Sequence, residues 1–132
     1  MSPKKLPTRK GTRTEAAGRR RVAEKYLEVA GIASTEDGTA INVTIGIAVL
    51  AGIAAGDAIC LAATGERYSG TDHSAAAELL ARVDPARGSE LADLVALKPG
   101  SHYGQALLTA RDRTRALRAA EHLVADARER TT

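Results

Sequence analysis

Six polar side chains carry most of the chemistry open to this sequence: Asp57, Asp72, His73, Lys98, His102 and Tyr103. A histidine near its ordinary pKa of about 6.5 can give or take a proton at neutral pH. A lysine beside it can neutralise phosphate, although as a point charge without the arginine fork. Asp57 stands in an apolar run, where an unpaired carboxylate is costly, so it must find a partner, an edge or an interface. His73 follows Asp72 at the start of a predicted helix, which gives the pair a local capping role. His102 and Tyr103 follow Pro99 and Gly100, in a predicted loop of the kind that displays functional side chains. His122 reads as an ordinary surface histidine and Cys60 as a small core residue. The chain contains no phosphate loop, dinucleotide fingerprint, His-Glu-x-x-His site or nucleophile elbow. One cysteine excludes an intrachain disulfide framework and a cysteine-rich metal site, and no cofactor or metal is expected.

These groups must be held by a scaffold almost without aromatic residues. Phe and Trp are absent, and alanine occurs 27 times in 132 residues. Alanine is the best helix former and lets helices approach closely, so the composition predicts an all-α domain. The charge is uneven. Residues 1–25 carry nine lysines and arginines against Glu15 and Glu24, a balance of +7, whereas the rest carries a balance of −4. The cations Lys4, Lys5, Arg9, Lys10, Arg13, Arg19, Arg20 and Arg21 are therefore candidates for contacts to a nucleic-acid backbone. The alternative is a solvated tail that aids solubility.

Residues 1–13 show no apolar periodicity and read as a disordered basic arm ahead of a helical domain at 14–130. A helix is predicted over 14–33, with Val22, Tyr26, Val29, Ala30 and Ala33 on its buried face. Residues 40–49 alternate like a strand, but no second β-branched run offers a partner, so 40–64 is assigned to a helix. Further helices are expected after Asp72, across a break at Asp84-Pro85 with Ser89 capping the continuation, and from Thr109 to about residue 128. Pro99 and Gly100 are expected to end the helix before them. An antiparallel bundle of four to five helices is the economical arrangement.

Residues 40–56 are uncharged and include the Gly52-x3-Gly56 pair, which raises a membrane-anchored alternative. Asp57 and the interspersed polar residues favour a buried core helix instead. No apolar stretch follows the first basic residues as a secretory signal would, and the cysteine usage suits a cytoplasmic protein without a membrane partner.

The run from Leu50 to Ala62, including Gly56-Asp57-Ala58-Ile59-Cys60, resembles the second helix of bacterial HEPN domains (higher eukaryotes and prokaryotes nucleotide-binding). Gly70-Thr71-Asp72-His73 resembles that family's Gly-x-Asp-His helix opening, and Leu97-Lys98-Pro99-Gly100-Ser101-His102-Tyr103 resembles its Leu-Lys-x-x-Ala-x-Tyr junction. Arg115-Ala116-Leu117-Arg118 resembles its last helix, so the likeness spans residues 15–128. The resemblance implies a helical, often homodimeric domain that acts on or binds RNA in toxin–antitoxin or defence systems. A nucleotidyltransferase-type antitoxin is the partner it implies. Active members are metal-independent ribonucleases with an Arg-x4-6-His motif. Here the junction offers Lys98-x3-His102, with Tyr103 beside it, a lysine in place of arginine and a shorter spacing. Arg67-x5-His73 and Arg115-x6-His122 also fit the loose pattern and read as chance matches. The expected function is a non-cleaving module for RNA or a protein partner. The alternative is a ribonuclease using Lys98, His102 and Tyr103, with Asp57, Asp72 and His73 in support. In either case a homodimer is expected, with its interface on the third and fourth helices near His102.

Overall fold

The computed structural model describes residues 5–103 and 107–132, with side chains throughout except at 99–103. Five helices follow in order, with one short sheet: β1 (Thr8–Lys10), α1 (Arg13–Ala33), α2 (Thr39–Thr64), β2 (Glu66–Tyr68), α3 (His73–Val83), α4 (Pro85–Tyr103) and α5 (Ala110–Thr131). The chain is an all-α bundle built around α2, with a two-stranded appendage.

Each helix starts or stops on an identifiable local signal. The Thr12 hydroxyl accepts from the Glu15 amide at the head of α1. Gly65 ends α2 at φ 77°, a left-handed conformation that glycine adopts without strain, and its amide donates to the Leu61 carbonyl. Asp72 caps α3 by accepting from the Ser74 amide. Thr109 and Asp112 form the expected capping box on α5. At the α3–α4 break, the Asp84 carboxylate accepts from the amides of Ala86 and Arg87. Ser89 is therefore an interior residue of α4, not its cap. The helix also continues through Pro99 to Tyr103 where an end was expected. A proline removes one i→i−4 bond, and the residues beyond it resume the helix.

α2 is surrounded on most sides, and fifteen of its residues are buried, among them Ile45, Val49, Ala55 and Ile59. It is long and apolar enough to cross a membrane, yet 72% of its most apolar window is buried inside the bundle. Gly52 and Gly56 are packing positions. A Cβ on Gly52 would lie 2.5 Å from Leu94 Cδ1, and one on Gly56 would lie 3.1 Å from Leu91 Cδ2. At the α3–α4 corner, Gly88 lies against Ala81 with no space for a side chain.

Two further expectations differ from the structure. The buried stripe of α1 is Ala16, Ala23 and Ala30, whereas Val22 and Val29 are 39% and 41% exposed. Small side chains let α1 lie close on α2, and the larger apolar residues are turned outward. Nor are residues 5–13 a disordered arm. Leu6 is 6% exposed, and β1 pairs antiparallel with β2 in the register Thr8↔Tyr68, Arg9↔Arg67 and Lys10↔Glu66. The Gly11 amide donates to the Gly65 carbonyl, and the Ser69 amide to the Pro7 carbonyl. Three residues are too few for an alternating pattern to register.

Ion pairs fasten α5 to its neighbours. Glu24 holds Arg20 and Arg128, Asp126 holds Arg87 and Arg130, and Arg130 also reaches Asp84. The two arginines hold the Glu24 carboxyl below its ordinary pKa.

Candidate functional site

Chain-distant polar residues meet where α2, α3, α4 and β2 converge. Asp57 projects from the C-terminal third of α2, and its Oδ2 lies 3.1 Å from Arg19 Nη2 on α1. Its side chain is only 13% exposed. Burial pushes its carboxyl above the ordinary aspartate range, although Arg19, Arg67 and His73 all pull the other way. His73 is half-buried at the first turn of α3. Burial pushes its imidazole below the ordinary value, Lys98 adds to that, and Asp57 and Asp72 oppose it. Asp57 thus feels Arg67 and His73, and His73 feels Asp57 and Lys98, so the influences run across four separate elements.

Of the residues singled out in the sequence, Asp57, Asp72, His73 and Lys98 are brought into this one neighbourhood. Asp72 is an N-cap, and its own amide donates to the Tyr68 hydroxyl. The side chains of His102 and Tyr103 lie outside the described residues, as do residues 1–4 with Lys4. Their helix backbone continues from Lys98, so His102 follows one turn beyond it.

The basic candidates divide. Lys5, Arg9, Lys10, Arg13 and Arg21 are exposed. Arg19 is committed to Asp57, and Arg20 to Glu24 and the Thr131 hydroxyl. The strand register sets Arg9 opposite Arg67, so the sheet carries N-terminal cations to the residue that acts on Asp57. Cys60 is a buried thiol pushed up to about 12 by burial and the Asp57 charge, which leaves it inert. No group of three metal-ligating side chains occurs among the described residues.

Arg67 belongs to the site although sequence reasoning set it aside. Its signal was the Arg67-x5-His73 spacing, which joins two residues that both act on Asp57. A second feature escaped as well: a cleft of about 430 Å³ between α4 and α5, lined by Glu90, Asp93, Leu94, Arg115, Arg118 and His122 among others. His122 Nδ1 lies 2.5 Å from Glu90 Oε2, so it is tied into the α4–α5 contact.

No family model matches the chain, and no curated protein is similar to it in sequence. The site offers fixed cations, a largely buried carboxylate that orients one of them, and an imidazole biased toward its neutral form.

Proposed function

We propose that this chain is a HEPN-like module that binds RNA through its phosphates, with a nucleotidyltransferase-type protein as the partner the resemblance implies. One observation carries the reading. The β1–β2 register sets Arg9 against Arg67, and Arg67 shares the field of Asp57 with His73, which in turn feels Lys98. Cations of the N-terminal segment and of β2 thus stand together on the sheet, and Lys98 of α4 acts on His73 within the chain of influences that includes Arg67. Such a surface takes phosphate without reading bases, and its binding falls with salt.

The test is fluorescence anisotropy with a single-stranded RNA across a salt series. Arg9→Glu/Lys10→Glu and Arg67→Glu should each weaken binding, and the salt slope should shallow by roughly 0.7 for each phosphate no longer neutralised. Unchanged affinity and slope in both variants would overturn the reading. Deleting residues 1–13 is a poorer test, because it also removes Leu6 and β1 from the fold.

A second reading is metal-independent RNA cleavage, favoured by one observation: Arg67 and His73 stand at an Arg-x5-His spacing beside a common carboxylate. A neutral imidazole can accept the ribose 2′-hydroxyl proton while an arginine holds the phosphate. If cleavage occurs with chelator present, His73→Ala or His102→Ala should cost about 10²–10⁴-fold, the range for loss of a general acid or base. The variant that loses rate identifies which histidine acts. Wild-type protein that binds RNA and leaves it intact sinks this second reading.

A further inference from the structure

The cleft between α4 and α5 combines an apolar lining with cations that the fold leaves unmatched. Leu94, Leu97, Ala116 and Ala119 supply the lining, and the volume of about 430 Å³ is that of a small-ligand site. Some of the charges around it are already satisfied. Glu90 pairs with Arg87 and His122, and the Asp112 carboxylate accepts the Thr109 amide at the positive end of α5. Arg115, Arg118 and Asp93 also line the cleft; all three are exposed and make no ion pair among the described residues. Arg115 lends its charge to Asp112 without bonding to it. Arg111, Arg115 and Arg118 recur at i, i+4 and i+7, so like charges repel along one face of the helix. A scaffold gains nothing from gathering cations in this way beside an apolar hollow, and local conflicts of that kind fall at functional sites.

We infer that this cleft binds a small aliphatic monoanion, a medium-chain carboxylate whose head meets Arg115 and Arg118 and whose chain lies over Leu94 and Ala116. Charge, lining and length choose this occupant. Two unmatched arginines against Asp93 leave a balance of +1, which one carboxylate cancels and a polyanion exceeds. The planar guanidinium fork also fits a carboxylate. The apolar lining is wholly aliphatic, so a nucleobase or other ring finds no aromatic face to stack on, whereas an alkyl chain needs none. Along α4 the cleft runs from Glu90 to Leu97, about 10 Å at the helical rise, which suits a medium chain. Asp93 opposes the arginines from the α4 wall and sets a limit on how much negative charge can enter. The cleft shares no residue with the phosphate site, so the two readings fail separately.

Isothermal titration calorimetry of the full chain with sodium octanoate and sodium decanoate, below their micellar concentrations, tests it. Wild type should bind one molecule of each, with decanoate about fifteenfold tighter, the effect of burying two more methylenes. Arg115→Gln/Arg118→Gln should weaken octanoate at least tenfold, and Asp93→Asn should tighten it. All three side chains are exposed, so these variants should fold, which circular dichroism checks. Arg67→Glu, aimed at the phosphate site, should leave the titration unchanged. A wild type that takes up neither carboxylate overturns the inference, as does binding that survives the double glutamine variant. Decanoate no tighter than octanoate overturns the apolar contact. Amide shifts confined to Val22, Val29 and Val43 would put the chain on the exposed face of α1 and α2 and overturn the cleft as its site. An acidic amphipathic peptide helix that binds with this arginine dependence while the carboxylates do not would overturn the small anion in favour of a protein segment.

Discussion

Asp57 and Arg19 show how a buried charge is tolerated in this fold. The carboxylate gains one guanidinium at 3.1 Å, yet burial still raises its pKa. Its folded value therefore lies above the unfolded one. The cost of keeping it charged is present at neutral pH and is relieved as the pH falls through the folded value. Arg19→Ala should destabilise the protein by about 1–3 kcal/mol at neutral pH, because a largely buried charge is left unpaired. That loss should shrink on acidification, since a neutral acid needs no cation. Urea unfolding of wild type and variant across the acid range measures it, and a loss that does not change with pH would contradict the account. His73 works in the opposite direction. Its folded pKa lies below the unfolded value, so the native state binds the proton less tightly. Stability should fall as the pH drops through about 6.5, the unfolded value. His73→Gln should flatten that part of the pH profile.

At the scale of the elements, glycine sets how closely the helices approach. Gly52 meets Leu94 at a distance that no Cβ tolerates, so Gly52→Ala should cost about 1–3 kcal/mol by overpacking. Gly18 faces open space in the single chain. Gly18→Ala should there raise helix stability by roughly 0.5–1 kcal/mol. Thermal melts of the two variants should move in opposite directions. The N-terminal strand gives a third test. Leu6 is nearly fully buried, so Leu6→Ala should cost about 2 kcal/mol, the low end for a core leucine. A neutral result by chemical denaturation would mean that β1 contributes nothing to the fold.

The whole molecule was legible wherever information is local. Alanine content, caps at Asp72 and Thr109, and the absence of a second β-branched run together point to the bundle and to α2 as a helix. What escaped depends on partners far along the chain. β1 is three residues long, and its central pair, Arg9 with Arg67, spans 58 positions. α1 offers both an alanine stripe and a valine stripe, and only packing against α2 decides which is buried. The candidate site was legible as a set of residue types. Its assembly was not, because Arg19 and Arg67 reach Asp57 from opposite ends of α2's sequence neighbourhood.

The pairing of β1 with β2 also has a consequence for the order in which the protein is made. During synthesis at about 5–20 residues per second, the segment bearing Lys5, Arg9 and Lys10 emerges ahead of β2. Its partner strand emerges roughly 3–12 seconds later, after 58 more residues. Through that interval the backbone groups of β1 and the Leu6 side chain have no partner strand to pack against. Closing the sheet over Leu6 then buries one apolar side chain and leaves Lys5, Arg9 and Lys10 exposed, so it is the arrival of β2 that gives those cations a fixed place on the surface.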